Sequence, residues 1–295
     1  MSIETQKLRI VFMGMDGVFS AIPMQYLLAH GVQVCAVVTP GSAPEESALL
    51  LSVNAHPPSI VAQAAAAGLP VIYVKHLRGT PVIARLAALA PDVILVACFS
   101  LILPAELLQA PRLGCFNLHP SLLPGYRGPA PLFWQWRLGE EQTGVTLHRM
   151  TPAVDAGEVV AQAGVPLPDG SSGSQADALI AQAGAALMLQ TLTRLAQGPL
   201  SVRPQDEARS TYFPWPSDSD FKLSPTWSAR RAFNFMRGTA AWGYPYRLTG
   251  HDTTLWLQTA LDFDLQQQLD RPLLRTGREA LIQFAPGVLR ATVLW

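Results

Sequence analysis

The first 120 residues alternate between short apolar runs and segments with helical patterning, and this alternation restricts the fold more than any other feature. Apolar runs of this length, bounded by Gly or Pro, are typical of buried strands. They are LRIVFMG (8–14), VQVCAVVT (32–39), LPVIYV (69–74), PDVILVACF (91–99) and LGCFNLH (113–119). The intervening stretches 19–30, 60–67 and 81–90 are predicted helices. Strands separated by helices predict an α/β fold, a Rossmann-like and mainly parallel sheet with helices on both faces.

The pattern changes in the second half of the chain. Residues 143–150 and 159–167 are predicted to form two further strands, and the alanine-rich stretch 171–198 a long amphipathic helix. A connector rich in Pro, Ser and aromatic residues follows, then a short basic helix and several short alternating runs. These features predict two domains, an α/β domain over 1–205 and a small β-rich, OB-like domain over 206–295.

Composition excludes several classes of protein. The chain is 49% hydrophobic, which is too much for a disordered chain, and 21 basic residues balance 21 acidic ones. This charge balance predicts neither a nucleic-acid partner nor a membrane partner. Cys35, Cys98 and Cys115 lie in apolar runs without short spacing, so we expect buried thiols rather than disulfides or a zinc site. With no signal peptide and no apolar run of about 18 residues, we expect a cytoplasmic protein.

Two polar residues stand at the end of the fifth predicted strand, in FNLHPSLLPGYRGPAP. Asn117 and His119 are two residues apart, so their side chains share one face of the strand, which Pro120 ends. In parallel sheets, ligands bind beyond the carboxyl ends of the strands. Asp155, in VDAGEVV, precedes a glycine at a turn. Alone, each is more often an ordinary polar group or a turn carboxylate; together they indicate a site.

These motifs resemble the formyltransferases that use 10-formyltetrahydrofolate. The family pattern is Asn-x-His, Ser-Leu-Leu-Pro, Arg-Gly and then Asp-x-Gly, and the chain contains it at 117–119, 121–124, 127–128 and 155–157. The resemblance extends over most of residues 8–200. It implies transfer of a formyl group from 10-formyltetrahydrofolate to an amine, without a metal and without a Ser or Cys nucleophile.

The resemblance also implies roles for individual residues. The Asn117 amide and a protonated His119 would share the oxygen that gains charge, and Asp155 would orient His119 and relay the proton of the amine. The folate would contact the loop after the fourth strand, at Phe99, Leu101, Ile102 and Leu103, and the segment with Val154 and Asp155. The alternative for Leu101 to Leu103 is a place in the core.

Three residues of the turn after His119 are expected to touch the acceptor: Ser121, Tyr126 and Arg127. For Tyr126 and Arg127, contact with the folate is equally open. The alternative for Arg127 is bonding to loop carbonyls. His148, on the strand TLHRM, is expected to face solvent or to pack.

The sequence constrains the identity of the formyl acceptor less than it constrains the reaction. Members that act on tRNA carry a basic loop after the second strand and a basic C-terminal domain. Here the loop PGSAPEESALLLSVNAHPPS has two glutamates and no Lys or Arg. We therefore expect a small-molecule primary amine, first a nucleotide-linked amino sugar and next an amino acid or peptide precursor. The alternatives are methionyl-tRNA formyltransferase, a formyltetrahydrofolate hydrolase and a non-catalytic folate-binding module. The C-terminal domain is expected to select the acceptor or to form a homodimer contact.

Overall fold

The computed structural model describes residues 8–42, 59–249 and 254–294. Two compact units are formed, each from three stretches of chain. Unit 1 comprises Met1–Arg127, Gly144–Val165 and Asp177–Tyr212, and unit 2 comprises Gly128–Thr143, Pro166–Ala176 and Phe213–Trp295. The acidic loop at 40–59, used above to judge the acceptor, lies almost wholly outside the described residues.

A seven-stranded sheet has the order β3-β2-β1-β4-β5-β6-β7. Neighbours among β1 to β5 pair in parallel, and β6 pairs antiparallel with β5. The strands are β1 (Ile10–Gly14), β2 (Val34–Pro40), β3 (Val71–Val74), β4 (Val93–Ala97), β5 (Cys115–His119), β6 (Gln142–Arg149) and β7 (Val159–Pro166). This mostly parallel sheet, with a second β-rich sheet toward the C-terminus, confirms the predicted fold class.

Five helices begin and end near predicted positions, whereas those at Ala105–Leu108 and Pro131–Leu138 were not predicted from the sequence. The Ser59 hydroxyl caps the second helix by accepting a hydrogen bond from the N–H of Ala62. The helices are α1 (Val18–Ala29), α2 (Ile60–Ala66), α3 (Thr80–Ala88), α4 (Ala105–Leu108), α5 (Pro131–Leu138), α6 (Gly173–Gln197) and α7 (Ala229–Thr239). None of the helices in the described ranges is long and apolar enough to cross a membrane.

Alternate residues of the central strands form one hydrophobic core. Val11 and Met13 of β1, Ile94 and Val96 of β4 and Cys115 of β5 are buried in the same cluster. Asn117 lies two residues beyond Cys115 and pairs with Val96, so it continues this row at the carboxyl end of the sheet. The packed strands therefore fix the position of its backbone.

Unit 2 contains a six-stranded sheet in the order β11-β12-β13-β10-β9-β8. Its strands are β8 (Lys222–Leu223), β9 (Tyr246–Thr249), β10 (Thr254–Asp264), β11 (Leu273–Thr276), β12 (Glu279–Gln283) and β13 (Val288–Leu294). The ring of Phe133, from α5, lies 5.2 Å from that of Phe221 and 5.4 Å from those of Phe235 and Trp242. The core of unit 2 is thus assembled from distant parts of the chain.

The expectation of three buried thiols is wrong for two of them. Cys115 is buried, which raises the pKa of its thiol to about 12. Cys35 is half-buried and Cys98 is exposed. Cys98 follows the last residue of β4 and has φ 54°, so the chain has already left the strand and its core face at this residue.

Candidate active site

The candidate site forms where β5 ends between β4 and β6. Asn117 and His119 lie on this strand, and Asn117 is directly opposite His148 of β6 in the antiparallel register. Directly opposed residues of an antiparallel pair have neighbouring side chains. The register therefore adds a histidine that the expectation of solvent exposure or packing for His148 had missed.

Asn117 and His148 are joined by a hydrogen bond. The Asn117 Nδ2 lies 3.2 Å from the His148 Nε2, and the His148 Nδ1 lies 3.0 Å from the carbonyl oxygen of Arg149. A carbonyl only accepts, so Nδ1 carries the proton and Nε2 accepts from the Asn117 amide. Within the described residues the second N–H of this amide has no partner. His148 thus fixes the direction of the Asn117 donor.

His119 is buried, with 4% of its surface exposed. Its Nε2 donates to the carbonyl oxygen of Tyr126 at 2.8 Å, and its Nδ1 lies 3.7 Å from a carboxylate oxygen of Asp155. Burial lowers the pKa of His119, and the nearby Asp155 partly opposes this effect. The geometry therefore favours a neutral ring with a proton on Nε2. This differs from the protonated oxyanion donor expected from the sequence.

Asp155 lies between the two imidazoles. The same carboxylate oxygen is 3.7 Å from the Nδ1 of His119 and 3.6 Å from the Nε2 of His148, distances too long for hydrogen bonds. The carboxylate is close enough to stabilise a positive charge that forms on the His119 ring. Its side chain is 10% exposed. The three residues expected to act together, Asn117, His119 and Asp155, are thus clustered around His148.

The Asp-x-Gly spacing has a steric explanation. A Cβ on Gly157 would lie 1.8 Å from the carbonyl oxygen of Arg149, the last residue of β6. Only glycine permits this approach, which places the Asp155 turn against the end of that strand. Asp155 itself has φ 53°, a left-handed conformation that is unfavourable for a residue with a Cβ.

Two of the three residues expected to touch the acceptor have internal roles. Ser121 is fully buried and donates to the carbonyl oxygen of Gly125, which closes the turn. Arg127 is 8% exposed and bonds the side chains of Gln205 and Glu207, not the loop carbonyls considered above. Tyr126 is half-buried with φ 62°, and its carbonyl holds His119.

The residues expected to contact folate divide into two groups. Leu103 belongs to the hydrophobic core, and Phe99 and Leu101 pack against that core while half-exposed. Ile102 and Val154 are instead 77% and 48% exposed. Single exposed apolar side chains are normal on a protein surface, so the contact of these two residues with folate stays a prediction.

The cluster offers one aimed amide donor, a neutral imidazole and a carboxylate. Within the described ranges no group of three His, Cys, Asp or Glu side chains is arranged to hold a metal ion. The arrangement can stabilise a developing negative oxygen and accept a proton beside it.

Comparisons with known proteins agree with this chemistry. A family model described as "Formyl transferase" matches residues 8–192, more than half of the chain. A methionyl-tRNA formyltransferase of Bacillus subtilis (strain 168) is 33% identical over 249 residues, 84% of this chain and 77% of that protein. A methionyl-tRNA formyltransferase of Synechococcus sp. (strain JA-3-3Ab) is 42% identical over 182 residues, 61% of this chain and 56% of that protein.

The fold is also found in a solved structure, that of WlaRD, a sugar 3N-formyl transferase in the presence of dTDP and 5-N-formyl-THF. The TM-score is 0.70 at 15% sequence identity, over 97% of this chain and 98% of that chain. At this identity the similarity shows the fold alone.

Proposed function

Since this chain belongs to the formyl transferase family, we propose that it transfers the formyl group of 10-formyltetrahydrofolate to a primary amine. The observation that carries this proposal is the clustering of Asn117, His119 and Asp155 at the end of β5, with 3.7 Å between the imidazole and the carboxylate. A folate-binding module has no use for such a cluster, so the non-catalytic alternative is disfavoured.

In this reaction the acceptor nitrogen attacks the formyl carbon, and the bond from that carbon to N10 of the folate breaks. The amine loses a proton and N10 gains one. Negative charge develops on the formyl oxygen, and the unpartnered N–H of Asn117 is the donor available to it. Loss of one such donor typically lowers the rate about 10²- to 10³-fold.

The buried His119 is proposed to accept the proton that the amine loses. Because burial lowers the pKa of His119, the ring is neutral at pH 7 and its Nδ1 can accept the proton of the attacking amine. Asp155, 3.7 Å from that nitrogen, stabilises the imidazolium that results. Exposed Ile102 and Val154 are proposed to contact the flat ring of the formyl donor.

The acceptor proposed here is methionyl-tRNA. Relatives with this printed activity are 33% identical over 84% of the chain, whereas the amino-sugar enzyme shares the fold at 15% identity. The exclusion of nucleic acid drawn from the charge balance is therefore not supported. A nucleotide-linked amino sugar stays the second candidate, because 21 basic and 21 acidic residues leave no net charge for binding phosphates.

The test incubates the protein with 10-formyltetrahydrofolate alone, with methionyl-tRNA and with a nucleotide amino sugar. Tetrahydrofolate release and the mass of the formylated product are measured. Formylmethionyl-tRNA is expected, and a product with the amino sugar alone would overturn the acceptor while keeping formyl transfer. Release without an amine would indicate the hydrolase, and no release would refute the proposal.

Two variants tie the activity to the site. Asn117→Ala and His119→Ala are each expected to lower turnover by about 10²-fold or more. The matched control is His30→Ala, because His30 is exposed at the end of α1, where its ring bonds the carbonyl oxygen of Tyr26 and packs against the ring of that residue. Near-normal turnover in either site variant would remove that residue from the mechanism.

A further inference from the structure

The side chain of Gln205 connects the two loops of the candidate site. Its Nε2 donates to the carbonyl oxygens of Asp155 and Gly157, each at 2.7 Å. Its Oε1 accepts from the Arg127 guanidinium, from Nη2 at 2.8 Å and Nε at 3.2 Å. Carbonyls only accept and guanidinium groups only donate, so the orientation of the amide is determined and all its hydrogen-bonding positions are used.

Arg127 extends this connection to His119. Its guanidinium also bonds both carboxylate oxygens of Glu207, at 2.7 and 2.9 Å. The residue before it, Tyr126, has φ 62° and provides the carbonyl that accepts from the Nε2 of His119. Fixing Arg127 therefore fixes the peptide that orients the imidazole.

Asp155 is held in the same way. Its left-handed backbone is unfavourable, and such conformations persist only where the surroundings over-determine them. Gln205 bonds the carbonyls on both sides of Ala156, which holds the turn that carries the carboxylate. The two loops with left-handed residues beside the site thus meet at one amide.

We infer that Gln205 is a positioning residue, which holds the carboxylate of Asp155 and, through Arg127, the imidazole of His119 in one relative geometry. The inference rests on the proposed function for its effect on turnover. The Gln205 side chain bonds backbone carbonyls and the Arg127 guanidinium. Its effect on the reaction is therefore exerted through the positions of Asp155 and His119.

The test substitution is Gln205→Glu, which keeps the shape and the bonds to Arg127 but turns a carboxylate oxygen toward two carbonyl oxygens. The Asp155 turn should then shift away. We expect kcat to fall about 10- to 100-fold, with the KM for the formyl donor changed less than about threefold. The matched control is Arg203→Ala, because Arg203 lies two residues away and bonds Gln162 instead; its kcat should stay within about twofold.

A second readout does not depend on turnover. Asp155 raises the pKa of His119, so moving the carboxylate away should lower the midpoint of the His119 ring titration by about half a pH unit or more. The midpoint is measured by NMR in Gln205→Met, because the new carboxylate of Gln205→Glu would itself raise the pKa of His119. His148 is the other titratable group that faces this ring. A lowered midpoint in a protein without formyl transfer would support the positioning role while refuting the proposed function.

Unchanged kcat in Gln205→Glu together with an unchanged midpoint in Gln205→Met would overturn the inference. So would a lower melting temperature with an unchanged midpoint, because that combination indicates a structural role only. Should Gln205→Glu fail to fold, Gln205→Met removes the same bonds to Asp155 without adding charge and is expected to show the fall in kcat as well. Failure of both variants to fold would assign Gln205 to the fold and refute the positioning role.

Discussion

At the scale of single residues, the charge of His119 distinguishes two mechanisms. A neutral ring can accept the proton of the amine, whereas a protonated ring can only donate. Its folded-state pKa is lowered, mainly by burial, so the neutral form is favoured. The ring is half-protonated only at a pH below the ordinary histidine pKa of about 6.5. The same shift means that His119 destabilises the fold as the pH falls below 6.5, because the unfolded chain then binds the proton first.

We expect the ring titration of His119, followed by NMR on histidine-labelled protein, to have its midpoint below pH 6.5. The His119→Gln variant assigns the resonance. A midpoint above 6.5 would restore the protonated donor that the sequence suggested.

A second residue prediction concerns Asp177 of α6. Burial raises the pKa of its carboxyl to about 6, from an ordinary value of 3.8. The charged form is disfavoured in the fold, so stability is lost as the pH rises from about 4 to about 6 and stays lower above. Asp177→Asn should raise the free energy of unfolding by about 1–3 kcal/mol at pH 8 and by less at pH 4.5.

Urea unfolding at the two pH values measures this difference. Asp270→Asn, at an exposed position, is the control substitution and should change the free energy of unfolding by less than about 0.5 kcal/mol. An equal effect of Asp177→Asn at both pH values would mean that the carboxyl titrates normally.

Site residues that lie close together in the sequence could be predicted. Site residues that reach the site only through contacts between distant segments could not. Asn117 and His119 could be predicted because strand alternation places them on one face. His148 needed the antiparallel register of β5 and β6. Gln205 is 50 residues from Asp155 and 78 from Arg127, and nothing in the connector RPQDE marks its contacts.

At the scale of elements, the turn after β6 depends on close backbone contact. Gly157→Ala would place a Cβ 1.8 Å from the carbonyl oxygen of Arg149, so either β6 or the Asp155 turn must move. We expect a loss of about 1–3 kcal/mol in the free energy of unfolding, together with a large fall in turnover. Chemical denaturation and the formyl-transfer assay measure the two effects.

Gly164→Ala is the matched control, because a Cβ on this β7 residue would meet nothing within 4 Å. Its stability should change by less than about 0.5 kcal/mol. Equal losses of stability in the two variants would show that the contact between residue 157 and the carbonyl oxygen of Arg149 does not determine the stability of the turn.

Elements of the large sheet were predictable because their strands are continuous apolar runs with clear ends. The four-residue helix α4 (Ala105–Leu108) is too short to show a helical period, so the sequence did not predict it. Phe99 to Leu103 were expected to act as a group, but their exposure differs residue by residue, because the loop presents Ile102 outward and Leu103 to the core.

At the scale of the whole molecule, each compact unit needs parts of the chain from both sides of the predicted domain boundary at 205/206. Phe133 and Trp136 of α5 are 2% and 4% exposed, and Phe133 packs on rings contributed by residues after 213. We expect a chain of residues 1–205 to expose them and to aggregate or lose cooperative unfolding. Size-exclusion chromatography and circular dichroism against the full chain test this, and a monomer with a cooperative melt would contradict it.

The position of Gln205 along the chain has a consequence for biosynthesis. A ribosome makes the polypeptide from its N-terminus at about 5–20 residues per second, so residue 205 emerges roughly 3–10 s after residue 155. During that interval the nascent polypeptide already has its Asn, His and Asp but lacks the amide bonded to the Asp155 turn. Products of aborted translation that end in this interval are therefore expected to transfer the formyl group at least about 10-fold more slowly than the full chain.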